Sequence, residues 1–325
     1  MIVPQFWAEA RKQHKQTGKQ VTVRRFGWSD ISQEEAQTKA DQRCQEALDQ
    51  ILSGVELERR ETKIPYNGAS GLPIREEIIS RHGDTVITRN SYGALCLNTP
   101  NVLFVDIDYK AEPSFKFTLV TFVILALCAI LTGYLNDSKF IGISLAILSL
   151  LFCSTISAVL YQSIMKFKGG LEKASLERID RFLQQHPDWN LRLYKTPAGM
   201  RILVTHRTFD SDESSVHDCF DSLDADPMYA MMCRNQRCFR ARVSPKPWRI
   251  GIGQHMRPRP GHWPVAPERL PIRNAWITQY EKKAVAYASC TFIGSKGNGT
   301  IHPDVAIVIE LHDHLCRSDS SLPIA

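Results

Sequence analysis

Two long, uncharged, apolar stretches interrupt the middle of this chain and constrain its fold more than any other feature. They run from Phe117 to Leu135 and from Phe140 to Met165, and only residues 136–139 connect them. Each has the length of a membrane-spanning helix, which needs about 20 apolar residues. The alternative is a pair of core helices in a soluble protein, which is unusual for two such runs. The sequence therefore predicts a transmembrane helical hairpin, residues 116–165, inserted between two halves of one soluble domain, residues 1–115 and 166–325.

The charges beside the hairpin predict its orientation. Lysines stand on the outer flanks of both apolar stretches, at positions 110, 116, 166, 168 and 173, whereas the short connection carries one Asp and one Lys. Because Lys and Arg accumulate on the cytoplasmic side of membrane proteins, both termini are expected in the cytoplasm, at the inner or plasma membrane. The polar segment from Met1 to Gln20 predicts no signal peptide. The nine cysteines are then expected to be reduced thiols.

The net charge of the chain is modest, but the charges are unevenly distributed along it. The whole chain carries +6; residues 208–226 are rich in Asp, and the following segment, 234–273, is rich in Arg. Aromatic residues at 239, 248 and 263 interleave with the basic ones, which is typical of contacts with phosphates and bases. Anionic lipid headgroups are a second candidate partner. The third interpretation is a solvated face that pairs with the acidic stretch upstream.

Capping residues, periodicity and turn residues predict the main elements of this domain. The segment 33–54, preceded by the capping residue Ser32, is expected to form a helix. Short strands are expected at 85–88 and 94–98 and a buried strand at 101–109. A second helix is expected at 170–186, and a β-hairpin from strands 191–195 and 200–205. The segment 243–271 should be irregular and exposed, and 284–293 and 304–312 should be closing strands. The predicted fold class is α+β.

Two carboxylates end the apolar strand that precedes the hairpin. Asp106 and Asp108 follow Val102–Val105, and residues i and i+2 of a strand lie on one face. Oxygen ligands of this kind suit Mg²⁺ or Mn²⁺, and such a pair can hold the ions of a phosphoryl-transfer site. The alternative is a solvated strand end. Asp106 and Asp108 are thus the predicted metal ligands.

This pair and a later turn resemble motifs of the archaeo-eukaryotic primase superfamily, most of all its primase-polymerase branch. In that family an acidic pair is followed by a helix and by a hairpin whose turn resembles Thr196-Pro197-Ala198-Gly199 of this chain. A third acid and a basic segment come later; here Cys238 to Trp248 is similar to that segment. The family's second-motif histidine falls at Ile202, with Arg201 and His206 nearby.

The resemblance implies a palm-like sheet of the RNA-recognition type, a divalent metal, nucleotide binding and nucleotidyl transfer, or a nucleotide binder that has lost catalysis. It implies catalytic roles for Asp106, Asp108 and a third acid, Asp226 or Asp224. It also implies phosphate, template or substrate contacts, which we assign to Lys195, Arg201, His206, Arg240, Arg242 and Lys246. A nucleotidyl cyclase is the other enzyme with a strand that ends in Asp-Ile-Asp, although this chain has no Gly-Gly-acidic hairpin.

Cysteine and histidine residues provide a weaker signal. Cys233 and Cys238, His217 and Cys219, and the run His312-x-His314-x-Cys316 contain ligands for a tetrahedral Zn²⁺ site, but their spacing matches no established zinc motif. Buried reduced thiols and surface histidines are the simpler interpretation. Neither Cys290 nor Cys316 has a base partner that the sequence identifies, so a cysteine nucleophile is not predicted.

These observations together predict a membrane-tethered, divalent-metal-dependent protein that binds nucleotides or nucleic acid and is a candidate nucleotidyltransferase. The competing hypothesis is an integral membrane protein without catalysis, whose basic cytoplasmic domain binds lipid headgroups, a protein partner or nucleic acid.

Overall fold

A computed structural model describes residues 3–16, 19–61, 72–109, 112–167, 169–259 and 263–325. The chain divides into two compact units. The first consists of Met1–Asp106, Pro187–Pro197 and Arg201–Ala325, and the second of Ile107–His186 with Ala198–Met200. Both helices and sheets are present, so the predicted α+β class is confirmed.

The first unit begins with a β-hairpin covered by a helix. Strands β1 (Phe6–Gln16) and β2 (Lys19–Ser29) pair in antiparallel fashion, and α1 (Gln33–Leu52) packs against them. Small side chains such as Ala8, Ala36 and Ala40 form the contact, and a Cβ on Gly27 would lie 2.1 Å from the Ala36 carbonyl oxygen. The Ser32 hydroxyl accepts a hydrogen bond from the Glu35 amide, as predicted for an N-cap. Helix α1 is confirmed, whereas the hairpin was not predicted.

A four-stranded antiparallel sheet follows in the same unit. Its order is β3 (Glu77–His82), β4 (Thr85–Arg89), β5 (Leu95–Thr99) and β9 (Phe239–Arg242). Strands β4 and β5 are almost wholly buried and agree with the predictions for 85–88 and 94–98. The fourth strand, β9, brings the basic segment beside residues that lie about 140 positions earlier in the sequence, as in the pairing of Asn98 with Arg240.

The second four-stranded sheet carries the predicted acidic strand. Its order is β10 (Thr291–Gly297), β7 (Asn190–Thr196), β8 (Gly199–Val204) and β6 (Phe104–Asp108). Strands β7 and β8 form the predicted hairpin, whose turn is Pro197-Ala198. The Val204 amide donates to the Leu103 carbonyl at 3.0 Å, which aligns β8 with β6.

Four further helices complete the first unit. They are α5 (Ser214–Leu223), α6 (Pro227–Gln236), α7 (Leu270–Ala284) and α8 (Pro303–Cys316). Two sequence predictions fail here. The segment 304–312 is helical, because His302 caps α8 and Pro303 occupies its first turn. The segment 284–293 is the end of α7, a turn and only the start of β10.

Of the segment 243–271, residues 243–259 and 263–269 are irregular apart from two short 3₁₀ turns, Pro247–Ile250 and Pro267–Arg269, and α7 begins at Leu270. The prediction that it is exposed holds only in part. Ile250, Ile252 and Met256 are buried and pack with Trp276 and Tyr280 of α7. Apolar side chains within a proline-rich segment therefore anchor it to the domain.

The second unit contains the two apolar helices. Helix α2 (Phe115–Leu135) and helix α3 (Lys139–Phe167) form a hairpin, and α4 (Gly170–Gln185) follows. Gly133 and Gly142 let the two backbones approach closely, since a Cβ on Gly133 would lie 2.8 Å from the Cα of Gly142. Within the structure, 17% of the most apolar window of α2 and 11% of that of α3 are buried.

Both helices are therefore long and apolar enough to cross a membrane, and most of their apolar surface is open. This is the opposite of what a core helix of a soluble protein shows, so the structure agrees with the predicted hairpin. Its orientation stays a prediction. Of the flanking lysines, Lys110 and Lys168 lie outside the described residues.

Candidate functional site

The carboxylate of Asp106 is held by a buried arginine on the neighbouring strand. Arg201 Nε donates to Asp106 Oδ1 at 2.7 Å, and Nη2 donates to Oδ2 at 3.1 Å. The register of β8 with β6 places these two residues opposite each other, so the pair links adjacent strands. The Arg201 side chain is 3% exposed and that of Asp106 is 33% exposed. Arg201 therefore neutralises the carboxylate through both of its oxygens, while the Asp106 side chain stays partly exposed.

The remaining donor of Arg201 is also engaged. Its Nη1 donates to the Arg242 carbonyl at 2.8 Å and lies 3.4 Å from Nε2 of His312. Burial acts to lower the pKa of Arg201, but the Asp106 carboxylate outweighs it and the pKa is raised. Since its donors bind protein atoms, Arg201 positions Asp106 in this structure rather than presenting a cation to a phosphate.

Asp226, predicted as the third acid, lies beside the end of β6. Its backbone amide donates to the Asp106 carbonyl at 3.2 Å. Its carboxylate caps α6 by accepting a hydrogen bond from the Met228 amide at 2.9 Å. The Tyr229 hydroxyl, on the same helix, donates to the Phe104 carbonyl at 3.1 Å. The start of α6 is thus attached to β6, and two acids that are 120 positions apart in the sequence become neighbours.

Asp108, the second predicted metal ligand, belongs to the other unit, where it is exposed. The backbone of Gly199 lies against it: a Cβ on Gly199 would be 1.9 Å from the Ile107 carbonyl oxygen and 3.0 Å from the Asp108 Cα. The glycine of the Thr-Pro-Ala-Gly turn therefore has a steric role. Because the unit boundary falls between Asp106 and Asp108, sharing of one metal ion by the two carboxylates stays a prediction.

The basic segment is in part neutralised by acids from a different region than the sequence suggested. Arg240 donates to both carboxylate oxygens of Glu76, at 2.7 and 2.9 Å, and to Asn98 at 3.1 Å. Arg273 donates to Glu77 at 2.7 Å. Glu76 comes directly before β3, and Glu77 is the first residue of that strand. Among the described residues, an exposed ion pair does connect the basic segment with the acidic stretch 208–226: Arg237 Nε lies 3.6 Å from Asp212 Oδ2.

The other predicted contact residues lie in different environments. The ring of His206 packs between Trp189 and Phe209, its Nδ1 accepts from the Asn190 amide at 3.4 Å, and burial lowers its pKa. Lys195 is exposed near the end of β7. Lys246 lies 5.4 Å from the ring centroid of the exposed Trp248. His206 thus has a packing role, whereas Lys195 and Lys246 lie at or near the surface.

A cluster of two cysteines and one histidine, which was not predicted from the sequence, lies beside Arg201. The side chains of Cys290, His312 and Cys316 are buried, and their ligand atoms all lie within 4.8 Å of one another. Among the described residues, this is the one group of three or more such side chains close enough to share a metal ion. His312 and Cys316 are i and i+4 on α8, so they share a helix face. The spacing of four residues is present in the sequence, but it places two side chains on one face only in a helix, and the segment 304–312 was predicted as a strand.

An acid and a second arginine support this cluster, which we call the thiol–imidazole cluster. His312 Nδ1 lies 2.9 Å from Asp313 Oδ1, and Arg192 Nη2 donates to Asp313 Oδ2 at 2.6 Å. Burial acts to raise the pKa of Cys316, but the hydrogen bond with Cys290 and the charge of His312 keep it lowered. Burial likewise acts to lower the pKa of His312, which the charge of Cys316 and the bond to Asp313 raise. The same close contact therefore lowers the pKa of the thiol and raises that of the imidazole.

Comparisons with protein-family models, with curated proteins and with solved structures found no match for this chain. Two features of the described residues offer chemistry: the acidic edge, where Asp226 lies beside Asp106, and the thiol–imidazole cluster, which Arg201 connects to Asp106.

Proposed function

We propose that this protein is a membrane-tethered nucleotide-binding protein with a primase-like palm, and that Asp106 and Asp226 bind the Mg²⁺ or Mn²⁺ ion that accompanies the nucleotide. The observation that carries the proposal is the hydrogen bond between the Asp226 amide and the Asp106 carbonyl. The family resemblance requires a third acid near the acidic strand, and Asp226 was assigned to it from sequence order alone. Its position beside Asp106 supports that assignment.

The Arg201 contact leaves Asp106 with acceptor capacity for a metal ion. A carboxylate offers about four lone-pair sites, of which Arg201 occupies two. The Asp106 side chain is 33% exposed, so its outer edge can meet a cation from solvent. Mg²⁺ is commonly held by one or two carboxylates together with substrate phosphates. We therefore expect the ion to bind weakly alone and more tightly together with a nucleoside triphosphate.

Binding is the core of the proposal, and nucleotidyl transfer is the reaction that the resemblance adds to it. The position of the family's second-motif histidine is Ile202, whose side chain is fully buried. The nearest alternative, His206, is packed among aromatic rings. A transfer reaction in this chain would therefore depend on groups other than that histidine.

Nucleotide binding to the purified full-length protein in detergent tests the proposal. Labelled ATP and GTP are titrated with and without Mn²⁺ against wild type, Asp226→Asn and Asp106→Asn. Asn retains the helix-capping ability of Asp, so Asp226→Asn should fold and lose the metal-dependent part of the binding. Asp84→Asn, an exposed turn position, is the matched control and should bind as wild type.

Binding that needs no divalent ion, or that survives in both acidic-edge variants, would contradict the proposal. Absence of nucleotide binding would favour the second candidate function, a membrane-anchored domain that binds anionic lipid headgroups. A specific observation supports that alternative: Arg257, Arg259 and Trp248 of the basic segment are exposed. Flotation with vesicles of phosphatidylserine and phosphatidylcholine, compared with phosphatidylcholine alone, distinguishes the two functions.

A further inference from the structure

The thiol–imidazole cluster is assembled by two chain segments that backbone hydrogen bonds clamp together. On one side of Cys290, the Ser289 amide donates to the Cys316 carbonyl at 3.0 Å. On the other side, the Phe292 amide donates to the Ser318 carbonyl, also at 3.0 Å. These two bonds hold Cys290 directly against the end of α8, so the meeting of the two thiols is a feature of the fold and not of flexible side chains.

The atoms of the cluster have the spacing of a metal site. Cys316 Sγ lies 3.4 Å from His312 Nε2. In a tetrahedral zinc site with ordinary bond lengths, neighbouring sulfur and nitrogen ligands are separated by about 3.5–3.8 Å. The largest separation among the three ligand atoms is within 4.8 Å. The three ligand atoms are therefore close enough to share one ion after a small movement of their side chains.

The histidine is oriented as a metal ligand usually is. Its Nδ1 faces the Asp313 carboxylate at 2.9 Å, while its Nε2 faces the thiols. A carboxylate that accepts from the distal nitrogen of a ligating imidazole fixes the ring and its tautomer. Asp313 is itself held by Arg192. The second layer of a metal site is thus present around His312.

The charges are compatible with a divalent ion. Two thiolates balance Zn²⁺, and Asp106 balances the guanidinium of Arg201. Arg201 Nη1 also approaches His312 Nε2, at 3.4 Å, but it already donates to the Arg242 carbonyl at 2.8 Å. The metal can therefore take the imidazole lone pair without leaving this donor unsatisfied.

We propose that Cys290, His312 and Cys316 bind a zinc ion that ties the end of α8 to the segment before β10. Two sulfur ligands and one nitrogen ligand in tetrahedral geometry favour zinc over Mg²⁺ or Mn²⁺. The fourth position is left for water.

Burial argues against the other chemistry that these residues offer. Cys316, His312 and Asp313 have the order of a cysteine nucleophile, its base and an orienting acid. However, Cys316 is 1% exposed and His312 is fully buried. A substrate would have no access to the sulfur, whereas a structural metal needs none.

Cobalt substitution on the full chain in detergent tests the site. Wild-type protein purified under reducing conditions should contain one zinc per chain by elemental analysis. After chelation, Co²⁺ should produce a thiolate-to-cobalt charge-transfer band and the intense visible bands of tetrahedral coordination. Cys290→Ser and Cys316→Ser should lose these bands, whereas Cys233→Ser, a buried cysteine outside the cluster, should keep them.

Two further variants distinguish loss of the site from loss of the fold. His312→Cys supplies a third thiolate, so cobalt should still bind and the charge-transfer band should grow by about half, in proportion to thiolate number. Asp313→Asn should weaken zinc binding by about 10- to 100-fold. The proposal is overturned if wild type gives no thiolate band, if the band persists without Cys290 and Cys316, or if these two cysteines are found joined in a disulfide.

Discussion

The Asp106–Arg201 pair allows a quantitative test of the acidic edge, through a double-mutant cycle of Asp106→Asn and Arg201→Met. Removing one partner of a buried ion pair costs about 3–5 kcal/mol. The cost should be smaller here, because Asp106 is 33% exposed to solvent and Asn keeps one acceptor oxygen for Arg201. For Asp106→Asn we expect about 2–3 kcal/mol of lost unfolding free energy.

The combined variant should cost less than the sum of the single ones. With both substitutions in place, no unpaired charge stays buried, and the introduced amide can be solvated at the exposed edge of the strand. We expect a coupling free energy of about 1–3 kcal/mol. Urea unfolding in detergent, followed by tryptophan fluorescence, measures this coupling in the part of the chain that holds the pair, because all six Trp residues lie outside the apolar helices α2 and α3.

An exposed ion pair provides the matched control for this cycle. Lys39 and Glu35 are i,i+4 neighbours on α1, 2.8 Å apart, with side chains 49% and 33% exposed. Their coupling, from Lys39→Met and Glu35→Gln, should be about 0.3–0.5 kcal/mol. Additivity within about 0.5 kcal/mol for Asp106 and Arg201 would refute the view that Arg201 is what holds Asp106 in place.

Three other predictions concern the β7–β8 turn, the packing of α2 against α3, and the orientation of these two helices in a membrane. Gly199→Ala should destabilise the protein by about 1–3 kcal/mol in thermal melts followed by circular dichroism, because the added Cβ meets the Ile107 carbonyl. Gly253→Ala is the control and should be neutral in these melts, because nothing lies within 4 Å of its added Cβ. Gly133→Leu should separate α2 from α3; faster proteolysis in detergent would reveal this, and an unchanged rate would contradict close packing there. Reporter fusions should place the turn around Asp137 outside and the C-terminus in the cytoplasm; a translocated C-terminus would refute the predicted orientation.

Local signals made part of the fold predictable from the sequence. Ser32 predicts helix α1 because it provides a cap, and the turn residues Thr196-Pro197-Ala198-Gly199 predict the β7–β8 hairpin because they separate two strand segments. Helix α8 was mistaken for a strand because Ala306–Ile309 is rich in β-branched side chains, which favour strands. Its cap at His302 and the following proline decided the outcome.

The missed parts depend on long-range contacts that no local pattern encodes. Strand β1 buries both Trp7 and its neighbour Ala8, which point to opposite faces, so its apolar alternation is faint. The pairing of Arg240 with Glu76 joins residues 164 positions apart, and the thiol–imidazole cluster joins Cys290 to α8. The acids Asp106 and Asp226 were selected from the sequence; that Arg201 would clamp Asp106 was not, since only the register of β8 with β6 sets it.

The position of a bound Mn²⁺ ion decides whether Asp106 and Asp226 form a metal site. Crystals of the protein grown with Mn²⁺ and a non-hydrolysable nucleoside triphosphate would reveal the ion through its anomalous scattering. The account predicts an anomalous peak in contact with the exposed edge of the Asp106 carboxylate and close to that of Asp226, with nucleotide phosphate as a further ligand. A bound nucleotide whose manganese peak lies away from both carboxylates would contradict it.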